Sequence, residues 1–333
     1  MEKKFDLKKW LINNVLIVVM VGIILAITII SKGKFLQINV LLQILNQSAV
    51  KLLVALGVMF VILSGQADLS GGKMVALAAC FAGSLAQSSE YSIKFWPSLP
   101  EIPAFFAILA AVILCCLIGA FSGVVVSKLK VPAFLATLGT QMILNGGTNL
   151  YMAKAPNNSQ PLAGLLPDFR NVGVGNIGGV TFLVMIAIAA AVFVHVLQTK
   201  TTLGKEIFAV GGNPEAAKVS GINVFKITII TYALAGAFYG LAGALECART
   251  GSANANFGAG YELDAIASCV IGGCSAGGGI GGVPGVFLGV IIFTVISYGL
   301  TFIGLSSYWQ NVVRGIIVII AIALDVRKYS KKD

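Results

Sequence analysis

Long stretches without charged side chains constrain this chain more than any other feature of its sequence. Residues 104–127 and 283–303, for example, contain no Asp, Glu, Lys or Arg. About 20 such residues are enough to cross the hydrocarbon core of a bilayer as a helix. Apolar residues make up 57% of the 333 residues and charged residues only 11%. This composition excludes a water-soluble globular domain, a disordered chain and a coiled coil, and it predicts an all-α polytopic membrane protein.

The apolar segments predict about ten transmembrane helices, some of them discontinuous. Two Gly-rich breaks, at 65–72 and 277–282, are each flanked by short apolar pieces, as in the interrupted helices of transporters. We expect residues 38–47 to be a separate amphipathic segment at the membrane interface, and 50–64 to be too short to span alone. The predicted crossings are residues 10–30, 50–64, 74–87, 103–127, 132–152, 180–197, 224–247, 261–273, 283–303 and 308–324.

The basic residues predict how the chain is oriented. When both termini are placed in the cytoplasm, most lysines and arginines fall on the cytoplasmic side, as the positive-inside rule requires. This layout puts residues 198–223 in the cytoplasm and residues 153–179, rich in Pro, Asn and Gly, in a loop outside. The net charge of +10 is then explained by cytoplasmic loops, so we expect no nucleic-acid partner.

Catalytic and cofactor-binding patterns are missing from the sequence. Neither Lys73 nor Lys205 completes a P-loop, which needs GxxxxGK followed by Ser or Thr. His195 is the only histidine, and no two of the six cysteines form a CxxC pair. We therefore expect a chain that is not an enzyme, with no catalytic residue, metal site or bound cofactor; ATP, if used, is bound by another subunit.

The 198–223 loop contains a predicted two-turn helix with a signal at each end. Asn, Pro and Glu at its start suit the N-cap, the first helical position and the helix dipole, and Gly suits its C-terminal end. So short a helix is marginal alone. It is either an ordered surface helix or a docking helix for a partner's groove. Its residues are Asn213, Pro214, Glu215, Ala216, Ala217, Lys218, Ser220 and Gly221.

Ionisable residues at membrane depth are candidate functional groups by default. Asp68 either lines a cavity at the first Gly-rich break or caps the helix that follows. Glu246 and Arg249 are spaced i,i+3, which favours a structural pair over a contact with a partner protein. Glu262 and Asp264 open the next span and either meet a partner or complement the helix N-terminus. We expect Arg314, at mid-span, to face protein or water.

Four stretches resemble the permeases of ribose/galactose-type ABC sugar importers. They are the 211–221 segment, Asp68-Leu69-Ser70-x-Gly72, the Pro-x-Phe-x-x-Thr-Leu-Gly-Thr at 132–140 and the Gly-rich run at 272–281. The likeness covers nearly the whole chain. Within the family, residues 211–221, 261–267 and 308–310 are most similar to permeases for galactose. Lys73 and Cys274 depart from the pattern, and they leave the sugar open.

The resemblance implies the ABC importer permease fold, with 1–333 as one transmembrane domain and a coupling helix in the 198–223 loop. It implies a homodimer with the path between the subunits, a cytoplasmic ATPase, a periplasmic sugar-binding protein, a monosaccharide substrate and location in a bacterial inner membrane. Alternatives are permeases for ribose, nucleosides or other small sugars, and a secondary transporter driven by ions carried on Asp68. The residues implied for the path or the helix breaks are Asp68, Ser70, Gly72, Thr137, Gly272, Gly273, Ser275 and Gly278, and those for binding-protein docking are Arg249, Glu262 and Asp264.

Overall fold

A computed structural model describes residues 15–330, which are mainly helical. Positions 10–14 of the first predicted span, the N-terminal lysines and residues 331–333 lie outside the described residues. The elements in chain order are α1 Val15–Ile30, α2 Ile38–Leu63, α3 Gly71–Leu85, α4 Ala104–Leu129, α5 Ala133–Ala153, α6 Pro167–Val174, β1 Asn176–Ile177, β2 Val180–Thr181, α7 Phe182–Lys200, α8 Thr202–Gly212, α9 Pro214–Val219, α10 Val224–Thr250, α11 Tyr261–Ile271, α12 Val283–Phe302 and α13 Ser307–Ser330.

Each predicted crossing has a counterpart among the described helices. Five of them, α2, α4, α7, α10 and α12, are long and apolar enough to cross a membrane by themselves. The helices α3 and α11, beside the two Gly-rich breaks, are short, with 15 and 11 residues. The all-α polytopic architecture is thereby confirmed, and the count of about ten crossings stays a prediction.

The second crossing differs from the prediction. Residues 38–63 form one continuous helix of 26 residues, so the expectations of a separate interfacial segment at 38–47 and of a piece at 50–64 too short to span are both wrong. The polar run at Asn46–Ser48 suggested a boundary, but it is accommodated inside the bundle. The Thr181 hydroxyl donates to Asn46, and Ser48 is buried. Polar side chains lower local hydropathy without breaking the helical backbone when neighbouring helices surround them.

The core is built around α10, which packs against α2, α3 and α4. Glycines let α10 approach α4 closely, as small residues do in membrane helix pairs. A Cβ built on Gly236 would lie 2.1 Å from the Cys115 carbonyl oxygen, and one on Gly119 would lie 2.2 Å from that of Tyr232. Tyr232 and Tyr239 are the largest fully buried side chains, and both belong to α10.

The two predicted loops carry more structure than expected. Residues 153–179 contain α6, which begins with Pro167, and β1 pairs with β2 in a hairpin joining Asn176 to Thr181. The 198–223 loop contains α8 in addition to the predicted short helix. Helix α8 was not predicted because its apolar residues are interleaved with Gly and charged side chains. Thr201 marks its start, because the Thr201 side chain caps the helix by accepting the Gly204 N–H.

Candidate functional site

The first break separates α2 from α3, and its own side chains shape it. One carboxylate oxygen of Asp68 accepts the Ser70 N–H at 2.8 Å and the Ser70 hydroxyl at 2.6 Å. The Leu69 N–H donates to the Thr137 hydroxyl at 3.1 Å, which ties the break to α5. Asp68 is 1% exposed, and its other oxygen, Oδ2, has no hydrogen-bond partner within the described residues. Asp68 therefore stabilises the turn before α3.

The second break separates α11 from α12 and is a compact glycine turn. Gly273 and Gly278 have φ of 87° and 88°, a conformation that favours glycine. The Gly278 N–H donates to the Ser275 carbonyl at 3.0 Å, and the Ser275 N–H donates to the Ile280 carbonyl at 2.9 Å. The predicted residues Gly272, Gly273, Ser275 and Gly278 thus belong to one folded turn.

The two breaks touch each other and the 198–223 loop. The Gly279 N–H donates at 3.0 Å to the carbonyl of Leu63, which is the last residue of α2. Gly211, near the end of α8, lies between them: a Cβ there would be 1.8 Å from the Leu63 oxygen and 2.8 Å from the Gly279 nitrogen. A Cβ on Gly278 would be 2.6 Å from the Gly65 Cα and from the Gly211 oxygen. We call this contact of Leu63, Gly65, Gly211, Gly278 and Gly279 the glycine junction.

The short helix α9 begins and ends as the sequence predicts. The Asn213 side chain accepts the Ala216 N–H at 3.0 Å, and Pro214 opens the helix. Gly221, with φ of 86°, ends it. The Gly221 N–H donates to the Lys218 carbonyl and the Ile222 N–H to the Ala217 carbonyl, each at 3.0 Å. This pair of bonds is the Schellman motif, so α9 is fixed at both ends.

The faces of α9 divide its predicted residues into two groups. Ala217 is only 4% exposed and packs on its own chain, so it is unsuited to a partner's groove. Glu215, Ala216 and Lys218 are exposed. Val219 is 89% exposed, the highest among the large apolar side chains. Val219 was not among the predicted site residues. The signal that could have identified it is an apolar residue between the Lys and Ser at the end of a capped surface helix.

The three residues predicted for binding-protein docking make contacts inside the chain. Asp264 is 4% exposed and forms an ion pair with Lys51 at 3.1 Å; Arg314 lies 3.9 Å away. The prediction that Arg314 faces protein is confirmed. Glu262 is 6% exposed and lies against the first turn of α3. Their burial leaves neither carboxylate at the surface for a partner, and the docking role itself stays a prediction.

Arg249 forms the structural pair that its spacing favours. Its Nε and Nη2 atoms each donate to Glu246 at 2.8 Å, and the Tyr261 hydroxyl lies 3.2 Å from the same carboxylate. Two parallel charge-assisted bonds fix both side chains. Three further polar side chains were absent from the predicted site: Lys51 pairs with Asp264, Gln141 approaches Glu262, and Lys73 approaches the Ala255 carbonyl. The signal that could have identified them is a polar residue within an apolar segment, for Lys51 and Gln141, or beside a Gly-rich break, for Lys73.

Membrane-spanning helices that meet through buried glycine turns inside an apolar bundle are typical of membrane transport proteins. Residues 40–322 match the family described as branched-chain amino acid transport system / permease component, and the chain belongs to this family. It is therefore a permease component, a multi-pass protein of the inner membrane and not an enzyme.

Several curated relatives are similar over nearly their full length. The galactose/methyl galactoside import permease protein of Haemophilus influenzae is 42% identical over 99% of this chain and 98% of its own. The protein of the same name from Salmonella typhimurium is 44% identical over 97% and 96%. The ribose import permease protein of Escherichia coli is 36% identical over 98% and 97%. No solved structure matches this chain.

Proposed function

We propose that this chain is the transmembrane permease subunit of an ABC importer for galactose or methyl galactosides. Relatives with that name are 42% and 44% identical, whereas the ribose permease is 36% identical. Since the sequence contains no P-loop, the ATP used by such an importer is hydrolysed by a separate ATPase subunit. The sugar is delivered by a periplasmic binding protein, and two copies of the chain form the path between them.

The glycine junction is the observation that carries this proposal. Gly211 lies three residues before Pro214, which opens α9, and its backbone contacts the breaks on both sides. A displacement of α9 therefore has a short, stiff route to the ends of α2 and the turn before α12. Because glycine contacts are backbone to backbone, no flexible side chain absorbs the movement. An ATPase that moves α9 would shift the end of α2 and the turn before α12 together.

The exposed face of α9 supplies the docking surface for the ATPase. Val219 offers an apolar anchor, and Glu215 and Lys218 offer charges of opposite sign. A buried apolar anchor surrounded by polar contacts is the usual energetic centre of an interface. In this orientation α9 and both termini are cytoplasmic, and the loop with α6 faces the periplasm, where the binding protein docks.

The test is sugar uptake in vesicles containing the permease, its ATPase and its binding protein. We expect uptake of galactose to require ATP, with ribose a poor competitor. Val219→Asp is expected to lower copurification of the ATPase and uptake by at least tenfold. Lys200→Ala, at an exposed position of the same 198–223 loop outside α9, is the control and should have little effect. Uptake driven by an ion gradient without ATP would instead establish the secondary transporter.

A further inference from the structure

Helix α5 carries a line of amide side chains on a face that the chain leaves open. Gln141, Asn145 and Asn149 are spaced i, i+4 and i+8, and Thr137 at the first break precedes them by one further turn. Gln141 is half-buried, and Asn145 and Asn149 are exposed. Successive members are separated by about 6 Å along the helix axis. We call Gln141, Asn145 and Asn149 the amide stripe.

The amide stripe does not suit contact with lipid. An amide left without a hydrogen bond in an apolar medium costs about 2–7 kcal/mol. Asn149 donates once, to the Asn145 carbonyl of its own helix at 2.7 Å. Within residues 15–330, the Asn145 side chain makes no hydrogen bond. Polar residues at membrane depth face a bundle interior or a water-filled cavity, so this edge of α5 faces water or a polar solute.

A buried carboxylate lies at the inner end of the amide stripe. The Gln141 Nε2 atom is 3.5 Å from the Glu262 Oε1 atom. The Glu262 Oε2 atom has no hydrogen-bond partner within the described residues, although the side chain is only 6% exposed. Lys73 is half-exposed beside it, with its ammonium 3.5 Å from the Ala255 carbonyl. The unused acceptor on Glu262 is an independent indication that this place receives a hydrogen-bond donor.

We propose that the amide stripe lines the sugar path and that Glu262 accepts a sugar hydroxyl at its inner end. This inference rests on the proposed function and names the groups that the monosaccharide touches. Amides both donate and accept, and a carboxylate accepts from hydroxyls, so the set suits a neutral polyhydroxylated solute. Steps of about 6 Å are comparable with the width of a pyranose ring, which lets a sugar exchange one amide for the next.

The opposite edge of the same exposed face is apolar and provides the control. Ile143 and Leu150 are 70% and 77% exposed. On a helical wheel Ile143 lies about 160° from Asn145, so the two residues face different surroundings at nearly the same depth. The chain's own cysteines are buried, apart from the half-buried Cys116, so the wild type supplies the labelling background.

The first experiment measures access from water in vesicles that hold the full importer. Asn145→Cys and Ile143→Cys are treated with a charged, water-soluble methanethiosulfonate reagent. We expect modification at position 145 to be at least tenfold faster than at position 143, and to slow when galactose-loaded binding protein and ATP are present. Equal rates at the two positions, or no modification at position 145, would show that the stripe is not in an aqueous path.

The second experiment measures transport. Gln141→Leu and Asn145→Leu replace the amide with an apolar side chain of comparable size, and Glu262→Gln keeps shape and removes the charge. Each is expected to lower galactose uptake at least tenfold at saturating binding protein while the ATPase still copurifies. Ile143→Leu should transport normally. Wild-type uptake in all three variants would overturn the inference. This outcome differs from a failure of the proposed function, in which the wild type itself would import no galactose.

Discussion

The N–H of Gly279 donates to the carbonyl of Leu63 at 3.0 Å, which joins two residues that are far apart in the sequence. Leu63 ends α2, and Gly279 belongs to the turn that leads into α12. Gly211 closes against the same carbonyl from the 198–223 loop. The junction thus joins the end of α2, the turn before α12 and this loop in one backbone contact. Its geometry makes neighbouring glycines differ sharply in their tolerance of a methyl group.

Replacing Gly211 with Ala should impair the permease, whereas replacing Gly212 with Ala should not. A Cβ on Gly211 would lie 1.8 Å from the Leu63 oxygen, but one on Gly212 has no neighbour within 4 Å. Overpacking of a rigid contact costs about 1–3 kcal/mol. We expect Gly211→Ala to lower the melting temperature in detergent and to abolish uptake. Equal melting temperatures and uptake for the two variants would mean that the backbone of the junction moves to accommodate the added methyl group without cost.

The sequence predicted the elements of this site better than their contacts. Residues 213–221 identified α9 because its caps are local and each depends on neighbours a few positions away. The Gly-rich breaks were equally visible. The approach of Gly211 to Leu63 could not be predicted, because backbone contacts between distant glycines leave no periodic pattern. The burial of Asp264 against Lys51 could not be predicted either, because α2 lies far from Asp264 along the chain. Ala217 is buried as well, and the docking roles of both residues stay predictions.

Gly72 should resist substitution for a different reason. Its missing side chain makes room for Glu262: a Cβ there would lie 2.0 Å from the Glu262 Oε2 atom and 2.3 Å from the Gly258 carbonyl oxygen. The carboxylate can move, but the carbonyl belongs to the backbone. We expect Gly72→Ala to reduce uptake strongly and to cost about 1–3 kcal/mol of stability. Gly139→Ala, with no neighbour within 4 Å, is the control, and matching losses in both would contradict this account.

The ion pair of Lys51 and Asp264 should be costly to break and inexpensive to replace. Removing one partner from a buried pair costs about 3–5 kcal/mol, because the other charge remains unpaired, whereas replacing both with apolar residues is often neutral. Asp264→Asn and Lys51→Met are therefore expected to destabilise singly. The double variant Lys51→Met/Asp264→Leu should recover most of the loss. Thermal unfolding in detergent measures the cycle, and Glu90→Gln, at an exposed position, is the control. Strictly additive losses would indicate that the pair is not coupled.

Variants of the Glu246–Arg249 pair can distinguish a structural role of Arg249 from a role in docking the binding protein. The Glu246 side chain is 7% exposed and takes both arginine bonds, so Arg249→Met leaves a buried carboxylate and should cost about 3–5 kcal/mol. The double variant Glu246→Gln/Arg249→Met removes that charge and should regain stability.

If the pair is structural, the double variant imports sugar with the wild-type dependence on binding-protein concentration. If Arg249 docks the binding protein, half-maximal uptake instead requires several-fold more binding protein in both variants, however stable the double variant is. Measuring uptake against binding-protein concentration, beside thermal unfolding, distinguishes the two roles. The 2.8 Å bidentate geometry leads us to expect an unchanged requirement in the double variant.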